Sequence, residues 1–131
     1  MADISRIPDE VKWKIASENA ARLPALYDAA FREIAGGKYD EIEQTIWMEL
    51  SRTVFDIAHT LSLPVGSAED LAETTKTVMT ILFGPGFHSE SLKVAEDRAV
   101  IVVKRCPLVN ECTALGCDSQ HSFRKCMALT L

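Results

Sequence analysis

The sequence has no cysteine in its first 105 residues, no run of lysine and arginine, and no apolar stretch long enough to cross a bilayer. Each absence excludes something. A helix needs roughly 20 consecutive apolar residues to span the hydrocarbon layer, so no membrane partner is expected, and Met1-Ala2-Asp3-Ile4-Ser5-Arg6 does not open a secretion signal. The formal charge is −5, from 14 basic and 19 acidic residues. A surface that neutralises phosphates is therefore missing, and nucleic acid is not an expected partner. The sequence also lacks Gly-x-Ser-x-Gly, a Walker loop, a dinucleotide fingerprint and His-Glu-x-x-His, which removes the familiar hydrolase, nucleotide and zinc-peptidase signatures.

No internal repeat, low-complexity tract or linker divides the chain. At 131 residues, 47% apolar and 25% charged, it has the composition of one globular domain spanning 1–131, because two separate cores would each be too small. A cytoplasmic location is the expectation, and thiols are kept reduced there.

Pro8, with Asp9 and Glu10 at the positive end of a helix dipole, opens a helix predicted over about 8–35. Its apolar stripe runs Val11, Ile15, Ala16, then Leu23, Leu26, Tyr27, Ala30, Phe31 and Ile34. Pro24 predicts a kink or break, and Gly36-Gly37 a stop. Asp40 and Glu43 have the spacing of a capping box for a second helix, about 41–62. Its inward residues are expected to be Ile42, Ile46, Leu50, Val54, Ile57 and Leu61, with Trp47, Met48 and Phe55 also assigned to core. Ser67 and Asp70 cap a third helix, about 68–83, whose apolar set is Leu71, Val78, Met79, Leu82 and Phe83 and which Gly84-Pro85-Gly86 ends.

Beyond that break the period becomes extended. Ser91–Ala95 and Ala99–Val103 flank Glu96-Asp97-Arg98, which predicts a β-hairpin over about 90–104 with a buried second strand. Such a hairpin must pack on the helices or pair with another chain. Pro107 opens a short helix that Gly116 ends, and Ser119 caps a further one carrying Phe123, Met127 and Leu131. The apolar stripe is still running at Leu131, so either this helix is short or the sequence is part of a longer chain. The predicted class is α+β, mainly α: a helical bundle, one hairpin and a cysteine-containing helical segment at 106–131.

All four cysteines lie in that segment, as Cys106-x5-Cys112-x4-Cys117-x8-Cys126, with His121 in the last interval. Thiolates ligate zinc and iron–sulfur clusters, and four in a short segment can complete a first shell, with His121 as a substitute ligand. None of the intervals is the short Cys-x2-4-Cys of a zinc knuckle. A reduced cysteine is also a small hydrophobe, so plain burial is the competing reading. Cys106 is the best single nucleophile, placed before a helix that Pro107 opens, with His121 as the nearest base in sequence. His59 and His88 match no metal spacing and are assigned to no site.

The strand end Val102-Val103-Lys104-Arg105-Cys106-Pro107, followed by Gly116 and Cys126, resembles the L-2-amino-thiazoline-4-carboxylic acid hydrolase-like family. The segment from Ile46-Trp47 to Pro64 is similar too, so the resemblance covers residues 40–131. It implies a helical domain with a strand-borne cysteine at Cys106 beside a small-molecule pocket, serving ring hydrolysis or ligand binding. Cys112 and Cys117 depart from the pattern, and the family's members continue beyond the point matching Leu131.

Three readings follow. The first is a metal module holding an iron–sulfur cluster or zinc through Cys106, Cys112, Cys117 and Cys126, for electron transfer, sensing or structure. The second is a cysteine-dependent hydrolase or small-ligand protein using Cys106. The third is a helical interaction subunit without a cofactor, meeting a homodimer mate or another protein through the hairpin edge or the C-terminal helix.

Overall fold

Glycine, proline and capping residues punctuate the chain, and the elements fall between them. The computed structural model describes residues 3–116. After a short 3-10 turn, α1 runs Asp9–Ala35, α2 Tyr39–Thr60 and α3 Ala68–Phe83; then come β1, His88–Ala95, β2, Arg98–Arg105, and α4, Pro107–Ala114. The class is α+β and mainly helical, as the periodicity predicts. The helix predicted after Ser119, and Cys117, His121 and Cys126 with it, fall outside the described residues.

Local chemistry accounts for the boundaries. Gly36 takes φ +58° and ends α1, and Gly116 takes φ +76° after α4. The hydroxyl of Ser67 accepts the amide of Asp70 at 3.1 Å, capping α3. At the end of α2, Leu63 N–H donates to Ala58 O at 2.9 Å and Ser62 N–H to His59 O at 3.0 Å, a Schellman closure that places Ser62 at φ +54°. A side chain in that left-handed position costs about 1–2 kcal/mol. Ser62→Gly is therefore expected to stabilise the fold by about 0.5–1 kcal/mol, read as a higher urea midpoint at unchanged slope. A lower midpoint would contradict the assigned turn.

One helix start and one break differ from expectation. α1 is continuous across Pro24: one lost ladder bond is outweighed by packing on either side, where Ser17 and Ala21 precede the proline and Ala25 and Asp28 follow it, all buried. Asp40 does not cap α2, which begins one residue earlier without a side-chain cap. Asp40 and Glu43 instead turn to Arg32 of α1. The Arg32 guanidinium donates to Asp28 Oδ1 at 2.9 Å, to Asp40 Oδ1 at 2.6 Å and to Glu43 Oε2, and lies 5.2 Å from the Tyr39 ring centre. Burial lowers the pKa of this guanidinium, but the Asp40 hydrogen bond and the charges of Asp28, Glu43 and Asp40 outweigh it and hold it above the ordinary arginine value.

The faces of α1 and α2 also differ from expectation. α1 turns Ser17, Ala21, Ala25 and Asp28 inward, whereas Leu23, Leu26, Tyr27, Phe31 and Ile34 are exposed. α2 buries Tyr39, Glu43, Trp47, Val54 and Ala58, leaving Ile42, Ile46, Leu50 and Leu61 exposed. Trp47 is core, as assigned; Met48 and Phe55 are not. In α3 Val78, Met79 and Phe83 are buried as predicted, and Leu71 is exposed. The core joins Ala25, Trp47, Val54, Ala58, Val78, Met79 and Phe83 to Phe87, Cys106, Leu108 and Cys112. Val54, Val78 and Leu108 are fully buried, each stabilising by about 1.5–3 kcal/mol relative to exposure.

β1 and β2 pair antiparallel, with Ser91 opposite Ile101 and Leu92 opposite Val100. The second strand is not buried, contrary to its composition. Ala99 and Ile101 are half-buried on the side of α3, where Ser91 Oγ meets Glu73 and Lys93 Nζ lies 3.7 Å from Glu69. Val100 and Val102 sit on the other face with Leu92, all exposed, because α3 covers only one side of a two-stranded sheet. Among the described residues no helix is long and apolar enough to cross a membrane.

Candidate functional site

Gly84 and Gly86 let three elements meet closely. A side-chain carbon at Gly84 would lie 1.9 Å from Ser17 Oγ, and one at Gly86 3.2 Å from Pro107 Cγ. The bend is thus pressed between α1 and α4, and Trp13 ties α1 to α3 by donating its indole N–H to Ile81 O at 3.0 Å.

A cleft of about 640 Å³ opens beside this junction. From α1 it receives Glu10, Lys14, Ser17 and Glu18, which share a face because residues three, four and seven apart line up on a helix. Pro107, Asn110 and Glu111 of α4 share a face by the same rule. The bend supplies Phe83, Pro85 and Gly86, and the open end of the hairpin supplies His88 and Arg105, which are register partners. Cross-strand partners have their β-carbons about 5 Å apart, so imidazole and guanidinium emerge side by side.

The electrostatics are mixed. Lys14, Arg105 and His88 face Glu10, Glu18 and Glu111 around the same opening, while Phe83, Pro85 and Pro107 provide apolar surface. Phe83 and Ser17 are buried, and the ionisable groups are exposed except for the half-buried Glu111. The volume falls in the range of small-molecule sites, roughly 300–1,000 Å³.

Compared with known proteins, the chain matches no family model, no curated protein and no solved structure.

The candidate residues fall on both sides of this site. Cys106 is the residue before α4, 4% exposed, between the cleft residues Arg105 and Pro107, yet it does not itself line the cleft. Its side chain belongs to the core with Phe87 and Leu108, and so does Cys112 at 1% exposure. Cys117, Cys126 and His121 lie outside the described residues. Among the described residues no three His, Cys, Asp or Glu side chains converge as a set able to hold a metal ion. His59 stands on the outside of α2, stacked on Phe55 with 6.3 Å between ring centres.

Sequence reasoning left His88, Arg105, Lys14 and Glu111 unassigned. They come from three distant stretches, none carrying a motif. The one available signal was the Gly84-Pro85-Gly86 break with a histidine two residues on, since such a bend permits close approach by other elements.

Proposed function

We propose that this chain is a small-ligand-binding protein whose site is the cleft between α1, α4 and the open end of the hairpin. The observation that supports it is the convergence of both signs of charge on one ligand-sized opening with apolar surface within it. A molecule carrying a carboxylate and a cationic nitrogen matches that lining. Arg105 and Lys14 would take the carboxylate, Arg105 as a planar fork able to bond both oxygens. Glu10, Glu18 or Glu111 would take the cation. The resemblance to the thiazoline carboxylic acid hydrolase-like family points the same way, because its substrate is a small amino-substituted ring acid. Cys106 sits behind the wall rather than on it, so the reading is one of binding and not of nucleophilic turnover.

Calorimetric titration of the full chain with L-2-amino-thiazoline-4-carboxylic acid and the common amino acids tests this. At least one should bind, and Arg105→Ala should weaken it ten-fold or more, about 1.4 kcal/mol. Cys106→Ser should leave the affinity within about three-fold, a shift of less than 1 kcal/mol, and a chelator should leave it unchanged. No binding by any of them, or binding indifferent to Arg105, refutes the site. Stoichiometric iron or zinc in protein purified without oxygen, lost together with the fold on chelation, would restore the metal module instead.

A further inference from the structure

The charges around the cleft are arranged differently from those beside it. On α1 Lys12 pairs with Asp9 at 2.6 Å, and on the hairpin Lys104 pairs with Glu90 at 2.8 Å. Their neighbours in the cleft do not pair. Among the described residues no ion pair joins Glu10, Lys14, Glu18, Arg105 or Glu111 to any group. Lys14 nevertheless stands one turn from both Glu10 and Glu18, the spacing at which helical ion pairs form. These charges thus face one opening with none cancelled at contact distance, and the carboxylates outnumber lysine and arginine.

The three carboxylates occupy separate places. Glu10 and Glu18 are two turns apart, about 12 Å along the axis. Side chains on a helix all lean toward its N-terminus, so these two carboxylates keep that spacing with Lys14 between them. One nitrogen cannot serve both. Glu111 belongs to the other wall, with Arg105: Pro107 opens α4 two residues after Arg105, and Glu111 is one turn further along the same face. Glu111 is also half-buried, and a carboxylate withdrawn from water gains more from a cation than an exposed one does.

We infer that the ligand of this cleft is a basic amino acid, with one carboxylate and two cationic nitrogens. The inference rests on the binding reading above and narrows it. The α-carboxylate and α-ammonium of an amino acid hang on one carbon and must be met by neighbouring groups of opposite sign, which Arg105 and Glu111 are. The carboxylate lies on Arg105, with Lys14 facing it from α1, and the α-ammonium lies on Glu111. The side chain then crosses toward α1 and sets its terminal nitrogen against Glu10 or Glu18. A neutral side chain would leave both of these carboxylates without a counter-charge, and an acidic one would set anion against anion.

Calorimetry on the full chain with matched ligands measures the outcome. L-lysine is set against L-norleucine, which lacks only the terminal nitrogen, and L-arginine against L-citrulline, which has nearly the same shape without the charge. Each basic member should bind about ten-fold tighter than its counterpart, the scale of one charge-assisted hydrogen bond, and L-glutamate should bind weakest. Glu10→Gln combined with Glu18→Gln, both exposed changes, should bring lysine's lead over norleucine down to within about three-fold. Glu96→Gln, a loss of charge at the turn of the hairpin and so at the far end from His88 and Arg105, should keep the lead. Glu111→Gln should weaken lysine and norleucine alike. Norleucine and citrulline binding as tightly as lysine and arginine, with Arg105→Ala still weakening them, overturns the inference and leaves the ligand site standing. A lead that survives the double change, or that Glu96→Gln erases equally, overturns it as well. No binding by any of these amino acids overturns it too, and L-2-amino-thiazoline-4-carboxylic acid then decides whether the site itself stands. Far-UV circular dichroism confirms that each variant is folded.

Discussion

Arg32→Ala is expected to destabilise the fold by about 3–5 kcal/mol, the range for removing one partner of a buried ion pair. Three carboxylates share this guanidinium, and two of them, on Asp28 and Glu43, are almost wholly withdrawn from water. In alanine's place they would keep the cost of burial and lose the cation that offsets it. Native stability is only about 5–15 kcal/mol, so the variant should unfold in urea far earlier than the parent. Arg32→Lys should recover part of the loss, because an ammonium restores the charge but not the planar fork that reaches Asp28, Asp40 and Glu43 in different directions. The raised pKa of Arg32 fixes the sign of its alkaline response: the stabilisation is full below the ordinary arginine value and fades only as pH climbs through the still higher folded one. Across neutral and mildly alkaline pH the gap between parent and Arg32→Ala should thus hold steady. A loss under about 1 kcal/mol in the urea midpoint would show that the cluster is an exposed ion pair in its energetics. Asp40→Asn gives the internal scale. Asp40 is the most exposed of the three carboxylates, and its loss should cost the least.

This cluster also marks where sequence reasoning stopped. Asp40 and Glu43 have capping-box spacing, and Asp28 and Arg32 have the spacing of a helical ion pair; nothing in the sequence says that the two pairs meet. Boundaries were legible, because Gly36, Ser67, the Gly84-Pro85-Gly86 bend, Pro107 and Gly116 act on the backbone locally. The hairpin was legible from its change of period. Faces were not. Periodicity finds an apolar side of a helix but not what that side will meet, and α1 places its large residues outward while packing Ser17, Ala21 and Ala25 inward. Small inward residues let α3 and its glycine bend approach closely, which leaves the large apolar residues of α1 on its outer side. β2 misled in the same way: five consecutive apolar residues read as buried, yet a hairpin with one helix behind it covers one face only. The cleft escaped because its residues, from 10–18, 83–88 and 105–111, converge only through the tertiary fold.

Gly84 is where the fold and the cleft depend on the same few atoms, and Gly84→Ala should cost about 2–6 kcal/mol. Two penalties combine. The backbone sits at φ +83° and ψ −169°, a region that any side chain enters at roughly 1–3 kcal/mol, and forcing an extra carbon into packed structure adds about 1–3 kcal/mol. The new carbon would lie 2.4 Å from Ser17 Cβ as well as 1.9 Å from its Oγ, so α1 must move away from the end of α3. Because Ser17, Phe83 and Pro85 line the cleft, ligand affinity should fall with stability. A companion substitution separates contact from strain. Ser17→Gly removes both colliding atoms and leaves Ser17 Cα at an ordinary 3.9 Å; alone it should cost about 1 kcal/mol of helix propensity. Combined with Gly84→Ala it should yield a protein more stable than Gly84→Ala alone, a coupling that distant, independent sites do not show. Ser17→Ala keeps the 2.4 Å clash and should rescue little. Simple additivity of the Ser17→Gly and Gly84→Ala losses in urea would mean that α1 and the bend do not touch as described, and the cleft they frame would lose its wall.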